Sequence, residues 1–412
     1  MARRTPALIA AYALGLLSGA ALTATASTGI PYERLAAFSH ALSLIEARYV
    51  DERDSETLVY DAIGGLTQGL DDHSIFLEPD RYRELLEQTS GEYFGVGIEI
   101  RRSEDRVFVG RALPGSPAED AGIELGDEIV AVDGIPIARA GGEEALARIR
   151  GERGTLVVLT LMRRGESEPR QLSVERGQVR TPSVKSRRVE DIAWIQVQRF
   201  QRRTSAEVGK ALADLRKDGP LAGIVLDVRG NPGGYLSQAV ELADHWIATG
   251  PIVSTIDRGP HGQRDEAHRE GTDLDTPLVV LIDGDSASAA EVVAGALQDT
   301  GRATLLGYNS YGKGSVQQFF ELSDGSALKL TTARYLTPAG RSIHGSGIVP
   351  DLPLGPKGAD EPAFALAPLL APLGPAPRGT EVDLELQTAI ALIRQPEQTA
   401  EFLRAAYQAA VD

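Results

Sequence analysis

The sequence predicts an α/β protein, and three strand-to-helix passages predict it. Ile192 to Val197 reads as a strand, and Ala206 to Leu215 as an amphipathic helix. Gly223 to Arg229 is a second apolar run, followed by a helix from Leu236 to Ile247. Leu278 to Ile282 is a third, and from Ala289 to Leu297 the apolar residues fall at helical spacing. Continuous apolar runs of this kind make strands buried on both faces.

The chain is organised around the third passage. Asp283, Gly284 and Asp285 break the strand, so Ser288 stands where a strand ends and a helix begins. There a hydroxyl is held on a rigid element, and the free N–H groups of a helix start face any developing anion. The same place suits a helix cap, and on this stretch alone capping is the favoured role for Ser286 or Ser288. Downstream, Lys313 lies between Gly312 and Gly314, with Gln317 four residues later. Val316, Phe319 and Phe320 make the next segment apolar and strand-like. A lysine in apolar surroundings loses its charge easily, and the neutral amine is the general base a serine needs to attack a carbonyl.

These two segments, Ser286-Ala-Ser-Ala-Ala-Glu291 and Gly312-Lys-Gly-Ser-Val-Gln317, resemble the carboxy-terminal processing, or tail-specific, proteases. The resemblance implies Ser288 as nucleophile, Lys313 as base and Gln317 as the group that orients the lysine. Ala290 departs from the family's usual serine, at a position outside those three.

Composition sets the outer bounds. A chain of 412 residues has room for two to three domains and an ample core. A net charge of −16 argues against general nucleic-acid binding, and the absence of cysteine excludes disulfides, thiol catalysis and cysteine-zinc sites. Six scattered histidines without His-Glu-x-x-His spacing give metal catalysis little support. At the N-terminus, Arg3 and Arg4 precede an apolar run from Ala7 to about Ala26, ending in the small-x-small site Ala24-Thr25-Ala26. The run reads as a secretory signal, cleaved or retained as an anchor, which exports the rest of the chain.

From Tyr32 to Gln88 the pattern is helical, with Leu35, Phe38, Leu42, Ile45 and Tyr49 at three-to-four spacing. His73 beside Asp72 reads as a structural hydrogen-bonding residue. Gly95-Val96-Gly97-Ile98 begins a strand, and Leu125-Gly-Asp-Glu-Ile-Val-Ala-Val-Asp-Gly134 follows; together they resemble a PDZ domain of bacterial proteases. The free backbone N–H groups of Gly95, Val96, Gly97 and Ile98 suit a terminal carboxylate, and the strand edge suits an extended peptide. Strands continue at Thr155 to Met162 and Arg170 to Val174. Gly230-Asn-Pro-Gly-Gly234 by itself is turn chemistry; beside the other segments it resembles the family's oxyanion segment, with Gly234 and Ala289 as the N–H donors. Leu328 to Tyr335 is a further strand, Pro350 to Pro377 a linker or irregular wrap, and Val382 to Ala410 returns to helical spacing.

Two other motifs overlap Lys313. A phosphate-binding loop requires Ser or Thr where Gly314 stands, and a helix where Val316 to Phe320 reads as extended. Ser310-x-x-Lys313 matches penicillin-recognising enzymes, but glycines at 312 and 314 oppose the helix turn it needs.

The fold the resemblance implies is a ClpP/crotonase-like α/β protease core with an inserted β-rich PDZ domain and helical N- and C-terminal segments. Its boundaries are a signal peptide or anchor at 1–26, a helical segment at 27–90, the PDZ domain at 91–177, the protease core at 178–355, and a linker with helical segment at 356–412. The implied activity is cofactor-free serine endoproteolysis near substrate C-termini, in the periplasm or on the inner membrane. The implied partners are protein substrates with exposed tails, an adaptor, the membrane through the N-terminus, and further copies of the chain. The reading from a different class is a PDZ binding module on a catalytically silent core.

Overall fold

The computed structural model describes residues 32–411 apart from 104–105, 138–145, 260–261, 269, 357, 360, 367–368 and 370–382. The arginine-flanked apolar run and its Ala24–Ala26 site lie outside these residues. Two compact units divide at Phe76 and Leu77.

In the first unit, α1 (Tyr32–Arg48) and α2 (Ser55–Gln68) form as their periodicity predicts. The Asp54 side chain caps α2 by accepting the Thr57 N–H at 2.9 Å. The apolar stripe of α1 does not close a core, however: Leu35 is 55% exposed and Phe38 48%. His73 sits in a turn where its own N–H donates to the Asp71 carboxylate at 2.8 Å.

The second unit opens with α3 (Pro79–Ser90), which Pro79 starts and Gly91 ends in the left-handed region at φ 71°. A two-stranded ribbon follows, pairing β1 (Glu92–Gly95) with β7 (Gly177–Arg180). Between its strands the chain makes a smaller sheet, ordered β2 (Ile98–Ser103), β3 (Arg106–Ala112), β4 (Glu128–Val132), β5 (Leu156–Met162), β6 (Arg170–Glu175). Alternating residues such as Val157, Leu159 and Leu161 point into its core with Val107, Val109 and Ile129.

The larger sheet has six strands, ordered β8 (Val184–Val189), β9 (Ile192–Val197), β10 (Gly223–Asp227), β13 (Leu278–Ile282), β14 (Thr304–Gly307), β17 (Leu352–Pro353). From β9 onward every pair is parallel. All five residues of β10 and of β13 are buried, so both faces of the sheet are covered. Ile224, Leu226, Val280 and Ile282 pack with α5 (Thr204–Arg216), α6 (Leu236–Asp244) and α7 (Ala289–Asp299). Val225, Val279 and Leu281 face the other way, onto α8 (Leu384–Arg394) and α9 (Pro396–Val411). The C-terminal helical segment is therefore half of the core's cladding. A second antiparallel sheet joins β12 (Gln263–Glu266), β11 (Pro251–Asp257), β16 (Ala327–Leu336) and β15 (Ser315–Glu321).

One buried ion cluster ties α8 to the sheet. Asp227, fully buried at the end of β10, accepts from Arg229 at 2.6 Å and from the Trp194 indole at 3.1 Å. Arg229 also reaches Asp383, the cap of α8, at 2.7 Å, and Glu385. Burial would raise the Asp383 carboxyl, but bonds from Arg229 and the Leu386 N–H hold it below the ordinary value. Replacing Arg229 by Met leaves Asp227 buried without its cation. Urea denaturation at neutral pH should show a loss of about 3–5 kcal/mol, and a loss under about 1 kcal/mol would refute this account of the cluster.

Candidate active site

Ser288 lies at the junction between β13 and α7. The loop before it is stapled by Asp283, whose carboxylate accepts the N–H groups of Gly230, Asp285 and Ser286. Ser286 is part of the staple: its hydroxyl lies 2.8 Å from the Val228 carbonyl and 3.0 Å from the Asp283 carboxylate. Ser288 takes a backbone conformation rare for a residue with a Cβ, φ 54° and ψ −114°. Such strain costs about 1–3 kcal/mol and persists only where the surroundings impose it.

The Gly233–Gly234 turn lies directly against this junction. Buried Asn231 fixes it, donating to the Val197 carbonyl at 2.7 Å and accepting the Gly233 N–H at 2.8 Å. Gly233 has φ 101°, and a Cβ there would come within 2.8 Å of the Ser288 Cβ and 3.1 Å of the Ala289 nitrogen. Gly234 has φ 144°, and its missing Cβ would strike the Phe200 carbonyl oxygen at 2.0 Å. Among the described residues, no acceptor takes the N–H of Gly234 or of Ala289.

Lys313 is brought to the same place by Glu291, on the first turn of α7. The Glu291 side chain is fully buried and accepts four bonds: from the Ser288 N–H at 2.8 Å, the Lys313 N–H at 2.8 Å, the Gly312 N–H at 2.7 Å and the Ser310 hydroxyl at 2.6 Å. Burial pushes the Glu291 carboxyl above the ordinary glutamate value, while the four donors pull the other way. Every partner donates, so the carboxylate form satisfies the site and a proton would displace a bond. Close backbone packing seats the lysine loop: a Cβ on Gly314 would lie 2.5 Å from the His344 nitrogen. The segment after Lys313 is the strand β15, without the helix a phosphate-binding loop or a Ser-x-x-Lys motif needs.

The Lys313 side chain is half-buried, and burial lowers its pKa. The charge of Lys329 lowers it further, and Glu291 opposes both. Gln317 donates to the Ser315 hydroxyl at 2.8 Å and the Thr331 hydroxyl at 3.4 Å; among the described residues it makes no hydrogen bond to Lys313. Tyr335, at the end of β16, is 4% exposed. Burial holds its phenol above the ordinary tyrosine value, and the nearby Ser288 side chain works against that.

In the smaller domain, the carbonyls of Val96 and Gly97 are taken by the N–H groups of Ala118 and Leu113. Among the described residues, no acceptor takes the N–H of Val96 or Gly97. Gly97 has φ 83°, and Gly95 pairs with Gly177 across the ribbon. A groove of about 1130 Å³ runs beside this loop, with Phe94, Ile100 and Leu146 as its apolar lining and Arg83, Arg102 and Arg150 among its charges.

Comparison with known proteins identifies the family. Residues 191–354 match the model of peptidase family S41, and residues 108–163 match that of the PDZ domain. The carboxy-terminal-processing protease of Bartonella bacilliformis is 38% identical over 325 residues, 78% of this chain and 75% of that one. The carboxyl-terminal-processing protease of Picosynechococcus sp. is 38% identical over 354 residues, 84% of this chain and 81% of that one. The chain belongs to the carboxy-terminal-processing protease family. A solved structure, a photosystem II D1 C-terminal processing protease, is 33% identical, with 77% of this chain and 92% of that one covered and a TM-score of 0.45. The family models and these relatives make it a protease of peptidase family S41 that carries a PDZ domain.

Three residues, two of them inside the quoted motifs, carry more than the sequence alone assigns them. Glu291 stands three residues after Ser288, the spacing of a capping box, and that signal could have found it. Gly233 was read as part of a turn, although it is the glycine that touches Ser288. Tyr335 left no local signal, because only the fold brings it to the serine. Glu291→Gln would place two donors among four others. Chemical denaturation should show a loss of about 1–3 kcal/mol, and unchanged stability would show that the four bonds are not the constraint described.

Proposed function

We propose that this protein is an exported serine endopeptidase that cleaves protein substrates near their C-termini with a Ser288–Lys313 dyad. The observation that carries the reading is the Glu291 carboxylate, which binds the backbone N–H groups of both Ser288 and Lys313 and so fixes one relative to the other. Neutral Lys313 takes the proton from the Ser288 hydroxyl as the oxygen attacks the peptide carbonyl. The N–H groups of Gly234 and Ala289 hold the negative charge on the tetrahedral oxygen. Lys313 passes the proton to the leaving amine, which departs with the tail. Water, deprotonated by the same lysine, then hydrolyses the ester and restores Ser288. Gln317 orients the lysine: its amide nitrogen is held by Ser315 and Thr331, which leaves its oxygen as an acceptor for Lys313 Nζ.

The PDZ domain captures the substrate's free C-terminus at Gly95 to Ile98, with an apolar tail residue resting on Phe94, Ile100 and Leu146. The N-terminal arginines and apolar run support export to the periplasm, with the run cleaved or kept as an anchor. Among the described residues no helix is long and apolar enough to cross a membrane. The exposed stripe of α1 supports assembly with further copies of the chain, and an adaptor would be an additional partner. Cell fractionation and sedimentation of the full chain test these placements: a cytoplasmic monomer would refute both.

The central test is cleavage of an unfolded protein with and without an apolar C-terminal tail. Ser288→Ala and Lys313→Ala should stay folded and lose roughly three orders of magnitude or more in rate. The tailed substrate should be preferred by the unaltered enzyme. Activity retained in Ser288→Ala would discard the dyad. A fluorophosphonate should label Ser288, whereas a PDZ module on a silent core would stay unlabelled.

A further inference from the structure

A second hollow lies between the smaller domain and the Gly233–Gly234 turn. It holds about 330 Å³, and one face of α3 makes its wall: Arg83, Leu86, Glu87 and Ser90 line it. Their spacing of three and four residues puts them on the same side of the helix. The rings of Tyr93 and Phe94 line it from the ribbon, and Tyr235 closes it from the core. Tyr235 is the residue after Gly234. Leu86 is 37% exposed and Phe94 39%, so the hollow offers apolar surface that the fold leaves uncovered.

The hollow is built into the frame that carries the site. The Phe200 N–H donates to the Gly233 carbonyl at 2.9 Å, and the Phe200 carbonyl accepts the Tyr235 N–H at 2.8 Å. The next residue, Gln201, packs so closely on Gly91 that a Cβ there would strike its side chain, and Arg202 lines the hollow. One short segment therefore joins the glycine turn to the end of α3. Towards the other end of α3, the Tyr82 ring lies 5.7 Å from that of Phe319, on the strand that follows Lys313. The hollow also adjoins the groove beside the Gly95–Ile98 loop, since Arg83, Glu87 and Phe94 line both.

We propose that this hollow is a specificity subsite: it takes an apolar side chain of the substrate, from the segment between the bond that is cut and the captured tail. The inference rests on the tail-capture reading above and deepens it by naming a second place where the substrate's sequence is read. A substrate whose scissile carbonyl meets the Gly234 N–H, and whose C-terminus rests at Gly95 to Ile98, has one end beside Tyr235 and the other beside Phe94. The residues between cross the hollow. Leu86 and the three rings reward an apolar side chain there with buried area, whereas a charged one loses its water without a partner. Arg83 and Arg202 are balanced by Glu87 and Glu92 around the hollow, so no net charge selects an ion of either sign.

The test uses the full chain and unfolded protein substrates that share one apolar tail, with each residue upstream of the tail set in turn to leucine or aspartate. The readout is the ratio of kcat/KM between the two members of each pair. For the unaltered enzyme, a position on the C-terminal side of the cut should favour leucine by roughly ten- to a hundredfold. Leu86→Lys brings a cation to meet the aspartate, and should bring the ratio at that position down to about one while the ratios elsewhere stay. Tyr235→Ala should lower the same ratio, and serves if Leu86→Lys fails to fold. A general loss of activity leaves the ratio unmoved, so a merely structural role would not give this result. No leucine preference between the cut and the tail, or one that both variants keep, would overturn the proposal. An unaltered enzyme indifferent to removal of the tail would instead bring down the tail-capture reading.

Discussion

The site depends on one buried carboxylate. A carboxylate removed from water costs several kcal/mol unless its lone pairs are used, and Glu291 is tolerated because four donors use them. Those donors come from two remote parts of the chain, and three are backbone N–H groups. The carboxylate therefore fixes main chain, which side-chain rotation cannot undo. The Ser310 hydroxyl carries the same constraint outward, since it accepts the Ile348 N–H at 2.6 Å. The strained φ of Ser288, the placement of Lys313 and the closing segment at Ile348 are consequences of satisfying one acid.

What lets the acid be buried is the sheet beneath it. β10 and β13 end side by side, and their loops, Arg229 to Gly234 and Asp283 to Ser288, are laced by Asp283, Ser286 and Asn231. Both strands are covered on both faces, so their ends cannot shift without opening a core. The helices that cover the far face come from the C-terminus, and Arg229 binds them to the loop that leads into Gly233. A fold in which the last helices hold the first glycine turn has its site braced from behind as well as from the hairpin in front.

The sequence was legible where chemistry and local spacing coincide. Ser288, Lys313, Gly95 and Gly97 could be named because short motifs carry them, and the buried strands because they are continuous apolar runs. Glu291 was visible as a letter of a motif but not as a hub, since three of its four partners lie 19 to 22 residues away. Gln317 was named as the group that orients the lysine, but the hold of Ser315 and Thr331 on its nitrogen was not legible; strand register, which no local pattern gives, decides that. The stripe on α1 reads the same whether it meets a core or the outside, because periodicity defines a face and not what covers it. The C-terminal helices posed the converse problem: their spacing was plain, and their place against Val279 and Leu281 was not.

Burial gives the site two opposite dependences on pH. Glu291 has a folded pKa above the ordinary one, so between the two values the folded chain holds a proton the unfolded chain has lost, and stability falls as pH rises. Lys313 and Lys329 have folded values below the ordinary lysine. Between those and the unfolded value the folded chain has released protons the unfolded chain keeps, so stability rises with pH. Near neutrality the carboxylate must be charged to hold the loops, and in the proposed dyad Lys313 must be uncharged to act. Burial opposes the charged carboxylate and favours the uncharged lysine, and the cost of the first is carried by the apolar sheet faces on either side.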